Sequence, residues 1–125
     1  MLNDASVHAT IPVRDLQVAQ KFYETTLGLT RLEENPVGIV FGSGGTKVLV
    51  YQSEFAGTNQ ATTASWEVED PDSVVRDLAR GGLTFEHYDD LPGTTREGDI
   101  HVMGQLRAAW FKDPDGNILC IGSSL

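Results

Sequence analysis

The sequence predicts an α+β fold in which one βαβββ module occurs twice within a single domain, residues 1–125. Three observations lead to this prediction. A strand pattern followed by an amphipathic helix opens the chain, the same order of elements returns from Thr63 onward, and two apolar strand-like runs joined by a Pro-Asp-Gly-Asn turn close it. The modules are expected at 6–53 and 62–123. Together they are long enough to form one shared hydrophobic core.

The first module begins with apolar and polar residues alternating over 7–13, the period of a strand with two different faces. Asp15 stands where a helix N-cap belongs, apolar residues recur at helical spacing from Leu16 to Leu27, and Gly28 suits the position after a helix end. Three more strands are predicted over 30–34, 38–41 and 46–52. The glycine-rich run 42–45 joins two of them and lacks a Gly-Lys-Ser/Thr ending, so we predict a hairpin turn and not a phosphate loop.

The second module repeats this order. Residues 63–69 alternate as a strand, with Ala64, Trp66 and Val68 on one face. Asp70 and Pro71 predict a helix start, and the glycines at 81–82 predict its end. A strand over 83–88, a long turn-rich loop over 91–104, and strands over 106–111 and 118–121 complete the module. The proline and glycine of the 113–116 turn allow the tight reversal that a hairpin needs.

Charge and composition exclude several classes of partner. Nine Lys and Arg residues against eighteen Asp and Glu residues give a net charge of −9, which repels nucleic acid and anionic membrane surfaces. The start of the chain lacks a signal-peptide pattern and no run is long enough for a membrane span, so we expect a cytoplasmic protein. The single cysteine, Cys120, excludes an intrachain disulfide and a thiolate zinc cluster.

Two motifs resemble those of the vicinal-oxygen-chelate superfamily, which includes glyoxalase I, bleomycin resistance proteins and extradiol dioxygenases. The run IPVRDL at 11–16 followed by KFYETTLGL at 21–29 is similar to the opening motif of the superfamily, and RAAWFKDPDGN at 107–117 is similar to its closing motif. The resemblance covers almost the whole chain. It implies a curved sheet that encloses a ligand cup, often completed by a second subunit, and hence a homodimer.

The metal-dependent members of this superfamily place their ligands on four inward strand positions. The resemblance assigns these positions to His8, Leu49, Thr63 and Cys120. Leucine cannot bind a metal, threonine is a poor ligand, and cysteine is soft where oxygen-rich sites need glutamate. We therefore expect no conventional metal site and no cofactor.

Strand alternation predicts which side chains face the cup. Five side chains are expected to face the cup: His8, Thr10, Tyr51, Trp110 and Cys120. Leu49 and Thr63 are added as the remaining metal positions, and His101 and Met103 as residues of the 91–104 loop. Arg107 completes the candidate ligand-binding residues, because it could hold a carboxylate or a polar ligand. The more ordinary interpretation of His87 and His101 is that both are solvated surface residues. Phe111, next to Trp110, is expected to pack on a helix instead.

Two classes of function agree with this pattern. The first is a metal-independent protein, similar to the bleomycin resistance branch, that binds an apolar or aromatic small molecule; the acidic charge suits a cationic one. The second is an enzyme, either a divergent glyoxalase-like lyase or dioxygenase with a nonstandard metal site, or a metal-free isomerase with His8 as the base. Whether the protein is an enzyme stays open at this point.

Overall fold

The computed structural model describes residues 1–124 and confirms the α+β fold with its repeated order of elements. The first half contains β1 (Ala9–Val13), α1 (Leu16–Gln20), a π-helical segment (Lys21–Thr26), β2 (Thr30–Glu34), β3 (Gly38–Ser43) and β4 (Thr46–Gln52). The second half contains β5 (Thr62–Glu67), α2 (Pro71–Arg80), β6 (Phe85–Glu86), β7 (Thr95–Glu97), β8 (Ile100–Met103), β9 (Leu106–Lys112) and β10 (Ile118–Gly122).

Each half builds its own sheet, and the two sheets share a topology. The first sheet has the order β1-β4-β3-β2, and the second has the order β5-β10-β9-β8-β7, with β6 beside β9. In each sheet the strand that precedes the helix lies parallel to the last strand of its half, while the other pairs are antiparallel. Both helices begin as expected, because Asp15 and Asp70 cap the first backbone N–H groups of α1 and α2.

Three element predictions are corrected by the structure. The first helix is α-helical only to Gln20 and then continues as a π-helical segment. The strand expected over 83–88 is reduced to Phe85–Glu86, and the loop expected over 91–104 contains the β7–β8 hairpin. Glu97 pairs with Ile100 there, so the turn has two residues, and Gly98 supplies its positive φ of 63°. Three glycines within twelve residues suggested a loop, whereas two of them, Gly98 and Gly104, lie in two-residue turns between strands.

The core lies between the two helices and one face of each sheet, which we call the helix face. Phe111 of β9 stands near its centre and is fully buried, as expected. Its ring lies 6.4 Å from that of Phe22 in the π-helical segment, 6.5 Å from Trp66 and 5.8 Å from Phe85, measured between centroids. The core is therefore continuous across both halves of the chain.

A buried polar network beside this core ties the halves together. The carboxylate of Asp113 accepts hydrogen bonds from the Tyr23 hydroxyl at 2.7 Å and from Asn117 Nδ2 at 2.8 Å. Asn117 Nδ2 also donates to the carbonyl of Pro12 at 2.7 Å, and Asn117 Oδ1 accepts from the Gly57 N–H at 3.1 Å. A Cβ at Gly57 would collide with the backbone oxygen of Asp115, so this contact requires glycine.

No helix among residues 1–124 is long and apolar enough to cross a membrane. The cytoplasmic location expected from the sequence stays a prediction.

Candidate functional site

The face of the second sheet that points away from α2, which we call the cup face, carries a row of three side chains. Trp110 of β9 lies beside Cys120 of β10, and Cys120 lies beside Ser65 of β5. Trp110 is half-buried, while its neighbour Phe111 is fully buried on the helix face, so the expected opposite facing of these two residues is confirmed. A cavity of about 310 Å³ opens over this row and is bounded by Met103 and Leu106 as well.

Cys120 forms part of the cavity wall. Its side chain is buried, and this burial raises the pKa of the thiol above its ordinary value, although a hydrogen bond with Ser65 opposes part of the effect. The sulfur therefore stays a thiol at neutral pH. A thiol is a poor nucleophile and a poor metal ligand, because both roles belong to the thiolate.

His101 is buried, and its interpretation as a solvated surface residue is wrong. It lies in β8 opposite Ala108 of β9, on the cup face, with 0% of its surface exposed. The backbone N–H of Tyr88 donates to its Nε2 at 2.9 Å. Because Nε2 is an acceptor, the neutral ring carries its proton on Nδ1. His87, by contrast, is exposed, with Nε2 2.8 Å from Asp99 Oδ1.

Tyr88, His101 and Trp110 form an aromatic cluster. The centroid of the Trp110 ring lies 4.9 Å from that of His101 and 5.6 Å from that of Tyr88, both in edge-to-face geometry. Trp110 Nε1 donates to Thr62 Oγ1 at 3.1 Å. A second cavity, of about 340 Å³, lies on the other side of Trp110 and is bounded by Tyr88, Leu91 and Thr62. Trp110 thus lines both cavities.

Three buried side-chain polar atoms lack a hydrogen-bond partner within residues 1–124, and two of them belong to this neighbourhood. They are His101 Nδ1, the Tyr88 hydroxyl and Thr63 Oγ1. The first two lie in the aromatic cluster, and Thr63 follows the residue that holds the Trp110 indole, at a bulge where β5 shifts register against β10. Buried polar groups in folded proteins are nearly always satisfied, so the two that lie beside Trp110 call for a ligand or water.

Arg107 lies on β9 but directs its guanidinium away from the aromatic cluster. Nε and Nη2 donate to the carboxylate of Asp72 at 2.9 and 2.7 Å, and Nη1 donates to Glu97 at 3.1 Å. The Arg107 hydrogen bond holds the pKa of Asp72 below its ordinary value. Arg107 also lines the 310 Å³ cavity, but two carboxylates of the chain itself hold its guanidinium.

The candidates from the first half of the chain lie on the other sheet. His8 is exposed and precedes β1, Thr10 pairs in register with Leu49 of β4, and Tyr51 pairs with Pro12. The residues lining the 310 Å³ cavity come from the second half instead. The structure therefore brings Met103, Arg107, Trp110 and Cys120 together around this cavity and places His101 against the Trp110 ring. It does not bring the candidates of the first half to the same cavity: His8, Thr10, Leu49 and Tyr51.

The four side chains at the superfamily's metal positions do not fit a metal. His8 is exposed, Leu49 offers only hydrocarbon beside Thr10, and Thr63 lies at a bulge. Cys120 is a buried thiol whose raised pKa opposes the thiolate that a metal needs. In the part of the chain that the structure describes, no three His, Cys, Asp or Glu side chains cluster as a metal-binding group.

Sequence reasoning missed Tyr88, Thr62 and Ser65. Ser65 could have been found, because it alternates with Trp66 and so shares the face of Thr63. Tyr88 follows a strand of only two residues, which leaves too short a pattern to predict where its ring points.

Comparisons with known proteins agree with this architecture. The model of the Glyoxalase/Bleomycin resistance protein/Dioxygenase superfamily matches residues 5–121. No curated protein gives a significant sequence match. Among solved structures, a lactoylglutathione lyase from Agrobacterium tumefaciens superposes with a TM-score of 0.70 at 18% identity, covering 96% of this chain and 93% of that one.

Two further structures are similar. A glyoxalase/bleomycin resistance protein/dioxygenase from Alicyclobacillus acidocaldarius has a TM-score of 0.68 at 25% identity, covering 100% of this chain and 96% of its own. The fosfomycin resistance protein FosX from Mesorhizobium loti has a TM-score of 0.67 at 16% identity, covering 98% of this chain and 93% of its own.

Proposed function

Since the chain belongs to the glyoxalase/bleomycin resistance protein/dioxygenase superfamily, we propose that it binds a small aromatic molecule on the cup face of its second sheet and that binding needs no metal. The observation that carries this proposal is the position of Trp110, a half-buried aromatic side chain between two cavities of about 310 and 340 Å³. Small-molecule sites are typically concave and mostly apolar, with a few polar groups that fix orientation.

The absence of a fitting ligand set supports the metal-free form of the proposal. At the four superfamily positions only His8 offers a good ligand, and Cys120 is held as a thiol. The net charge of −9 favours a cationic or neutral ligand over an anionic one. The lyase, dioxygenase and isomerase alternatives need a metal site or a base in the cup, whereas His8 precedes β1 of the other sheet and lines neither cavity.

Thioflavin T, a planar cationic dye that fluoresces when immobilised, is a suitable probe. We expect it to bind and to be displaced by 2-ethylnaphthalene, a neutral aromatic molecule. Removing a buried aromatic anchor commonly weakens binding by about 30-fold, so Trp110→Ala should do the same here. Phe55→Ala is the matched control, because Phe55 is an exposed ring on the connector between the sheets.

Metal dependence is tested on the same protein. We expect no stoichiometric divalent metal in the purified protein, and unchanged dye affinity and melting temperature after treatment with a chelator. Near-stoichiometric nickel, zinc, iron or manganese whose removal abolishes binding would contradict the proposal and favour the enzyme alternatives.

We further propose that the protein is a homodimer. Leu32 and Val37 are large apolar side chains exposed on the first half of the chain, and a second copy could cover such surface. Light scattering should give twice the 13.6 kDa mass of one chain. A mass of one chain that persists over a wide concentration range would refute the dimer.

A further inference from the structure

We propose that His101 and Tyr88 form a carbonyl-binding subsite behind Trp110, and that the ligand of the cup face is therefore a neutral aromatic molecule with a carbonyl oxygen. This inference rests on the proposed function, because it names the ligand class of the same site. Its basis is the pair of unpartnered donors in the aromatic cluster, His101 Nδ1 and the Tyr88 hydroxyl.

The chemistry of these two groups selects the ligand. The Tyr88 N–H donates to Nε2 of His101, so Nε2 is an acceptor. The neutral ring then carries its proton on Nδ1, which is left as a donor. The Tyr88 hydroxyl is a second donor, with its ring centroid 5.9 Å from that of His101. A carbonyl oxygen has two lone pairs and carries no charge, so one such oxygen can accept from both groups.

An anionic oxygen fits this place less well. Three carboxylates surround the cluster in surface ion pairs, namely Glu86 with Lys112, Asp89 with Arg96, and Asp99 with His87. The two fixed cations there, Lys112 and Arg96, are already paired with carboxylates, and the chain as a whole carries a net charge of −9. A carboxylate or phosphate would be repelled without gaining a free cation, whereas a ketone oxygen would not.

Trp110 provides the aromatic contact for the ligand and also covers the route to the subsite. His101 is fully buried beneath its ring, and the same ring separates the two cavities. Within the part of the chain that the structure describes, the indole makes a single hydrogen bond, to Thr62 Oγ1. The proposal requires this side chain to rotate: rotation would break that one hydrogen bond and open a path to His101 from the cavity that Tyr88 lines, with the indole still able to stack on the ligand.

The test compares two ligands of the same shape. 2-Acetonaphthone and 2-ethylnaphthalene share the naphthalene ring and differ in the carbonyl oxygen. We expect the ketone to bind about tenfold more tightly, as two hydrogen bonds in a buried site would give. A ketone labelled with ¹³C at the carbonyl should show a downfield shift on binding, because hydrogen bonding polarises the C=O bond.

Tyr88→Phe then removes one donor and keeps the ring. Because that hydroxyl has no partner within the chain, the variant should fold normally, lose most of the preference for the ketone and show a smaller ¹³C shift. Its affinity for 2-ethylnaphthalene should not change. Thr30→Val is the matched control, since it removes an exposed hydroxyl on the outer strand of the first sheet and should alter neither affinity.

The outcomes separate this inference from the proposed function. If both ligands bind equally well, or if Tyr88→Phe leaves the ketone preference unchanged, the subsite is wrong and the aromatic cup remains. If neither ligand binds, both proposals fail. An ordered water that satisfies the two donors and is not displaced would appear as equal binding with no carbonyl shift.

Discussion

The two faces of the second sheet differ in whether their buried polar groups have hydrogen-bond partners. On the helix face, the Asp113 carboxylate accepts from Tyr23, from Asn117 and from two backbone N–H groups of the closing turn. On the cup face, His101 Nδ1 and the Tyr88 hydroxyl are equally enclosed and have no partner within residues 1–124. The strand β9 separates these surroundings, with Phe111 on one side and Trp110 on the other.

This difference indicates that the helix face stabilises the fold, and it supports the proposal that the cup face binds a ligand. An unsatisfied buried polar group costs about 1–3 kcal/mol, whereas a satisfied one contributes modestly to stability. Unsatisfied polar groups on the cup face therefore lower the free energy of unfolding of the unliganded protein. The comparison can be tested by substituting matched residues on the two faces.

The largest effect is expected from the adjacent pair on β9. Phe111→Ala opens a cavity in the centre of the core and should lower the free energy of unfolding by about 3–5 kcal/mol. Trp110→Ala should cost clearly less, since the indole is half-exposed and packs beside existing cavities. Urea denaturation followed by circular dichroism measures both. A larger loss of stability for Trp110→Ala than for Phe111→Ala would mean that Trp110, and not Phe111, lies on the helix face.

The next effect concerns Tyr23 in the Asp113 network. Tyr23→Phe removes a donor from a buried carboxylate and should destabilise the fold by about 1.5–3 kcal/mol, the usual range for a hydrogen bond to a charged group. Tyr51→Phe, on the first sheet, is the control and should change stability by less than about 0.5 kcal/mol.

The same residue predicts a dependence on alkaline pH. Burial, followed by the nearby Asp113 carboxylate, raises the pKa of Tyr23 far above its ordinary value of 10.0. The unfolded chain therefore loses the phenolic proton first, so stability is fully present below pH 10 and falls as the pH rises above it. We expect a steeper alkaline loss of stability in the wild type than in Tyr23→Phe. Equal slopes would show that the phenol ionises in both states alike.

A smaller effect is expected for the thiol of the cup face. Because its pKa is raised by burial, Cys120 should react with iodoacetamide at pH 8 much more slowly in the folded protein than in urea-unfolded chain. Mass spectrometry of the alkylated protein measures the rate. Alkylation in the native state as fast as in urea would make Cys120 a candidate nucleophile.

The smallest effect, and the one of opposite sign, belongs to Tyr88. Replacing an unpartnered buried hydroxyl by hydrogen removes a desolvation cost, so Tyr88→Phe without ligand should leave stability unchanged or raise it by up to about 1 kcal/mol. Thermal denaturation beside Tyr23→Phe gives a direct comparison of the two faces. A loss similar to that of Tyr23→Phe would reveal a hidden partner of the hydroxyl.

Local patterns predict the framework of this protein well. The caps at Asp15 and Asp70, the hairpin at 113–117 and the opposite facing of Trp110 and Phe111 all follow from short-range chemistry that the sequence displays. The hairpin of β7 and β8 was missed because its strands are only three and four residues long, so alternation has too few positions to be recognised.

The candidate site is less predictable because it depends on contacts between distant segments. His101 was expected at the surface, yet β8 places it beneath Trp110 and opposite the N–H of Tyr88, thirteen positions away in the chain. Arg107 lines the 310 Å³ cavity, but its guanidinium is held by Asp72 at the start of α2, a partner that the sequence did not indicate. Neither partner is adjacent in sequence, and no periodic pattern encodes which of several carboxylates an arginine will reach.

The outermost strand of the first sheet also limits how copies of this protein can associate. All five residues of β2 are exposed, three of them are charged, and its register against β3 is interrupted between Arg31 and Glu33. Charge and irregular pairing at a free edge discourage the addition of a strand from another chain, the first step towards insoluble aggregates. Replacing Glu33 and Glu34 by valine should therefore lower the protein concentration at which precipitation begins, as measured by turbidity.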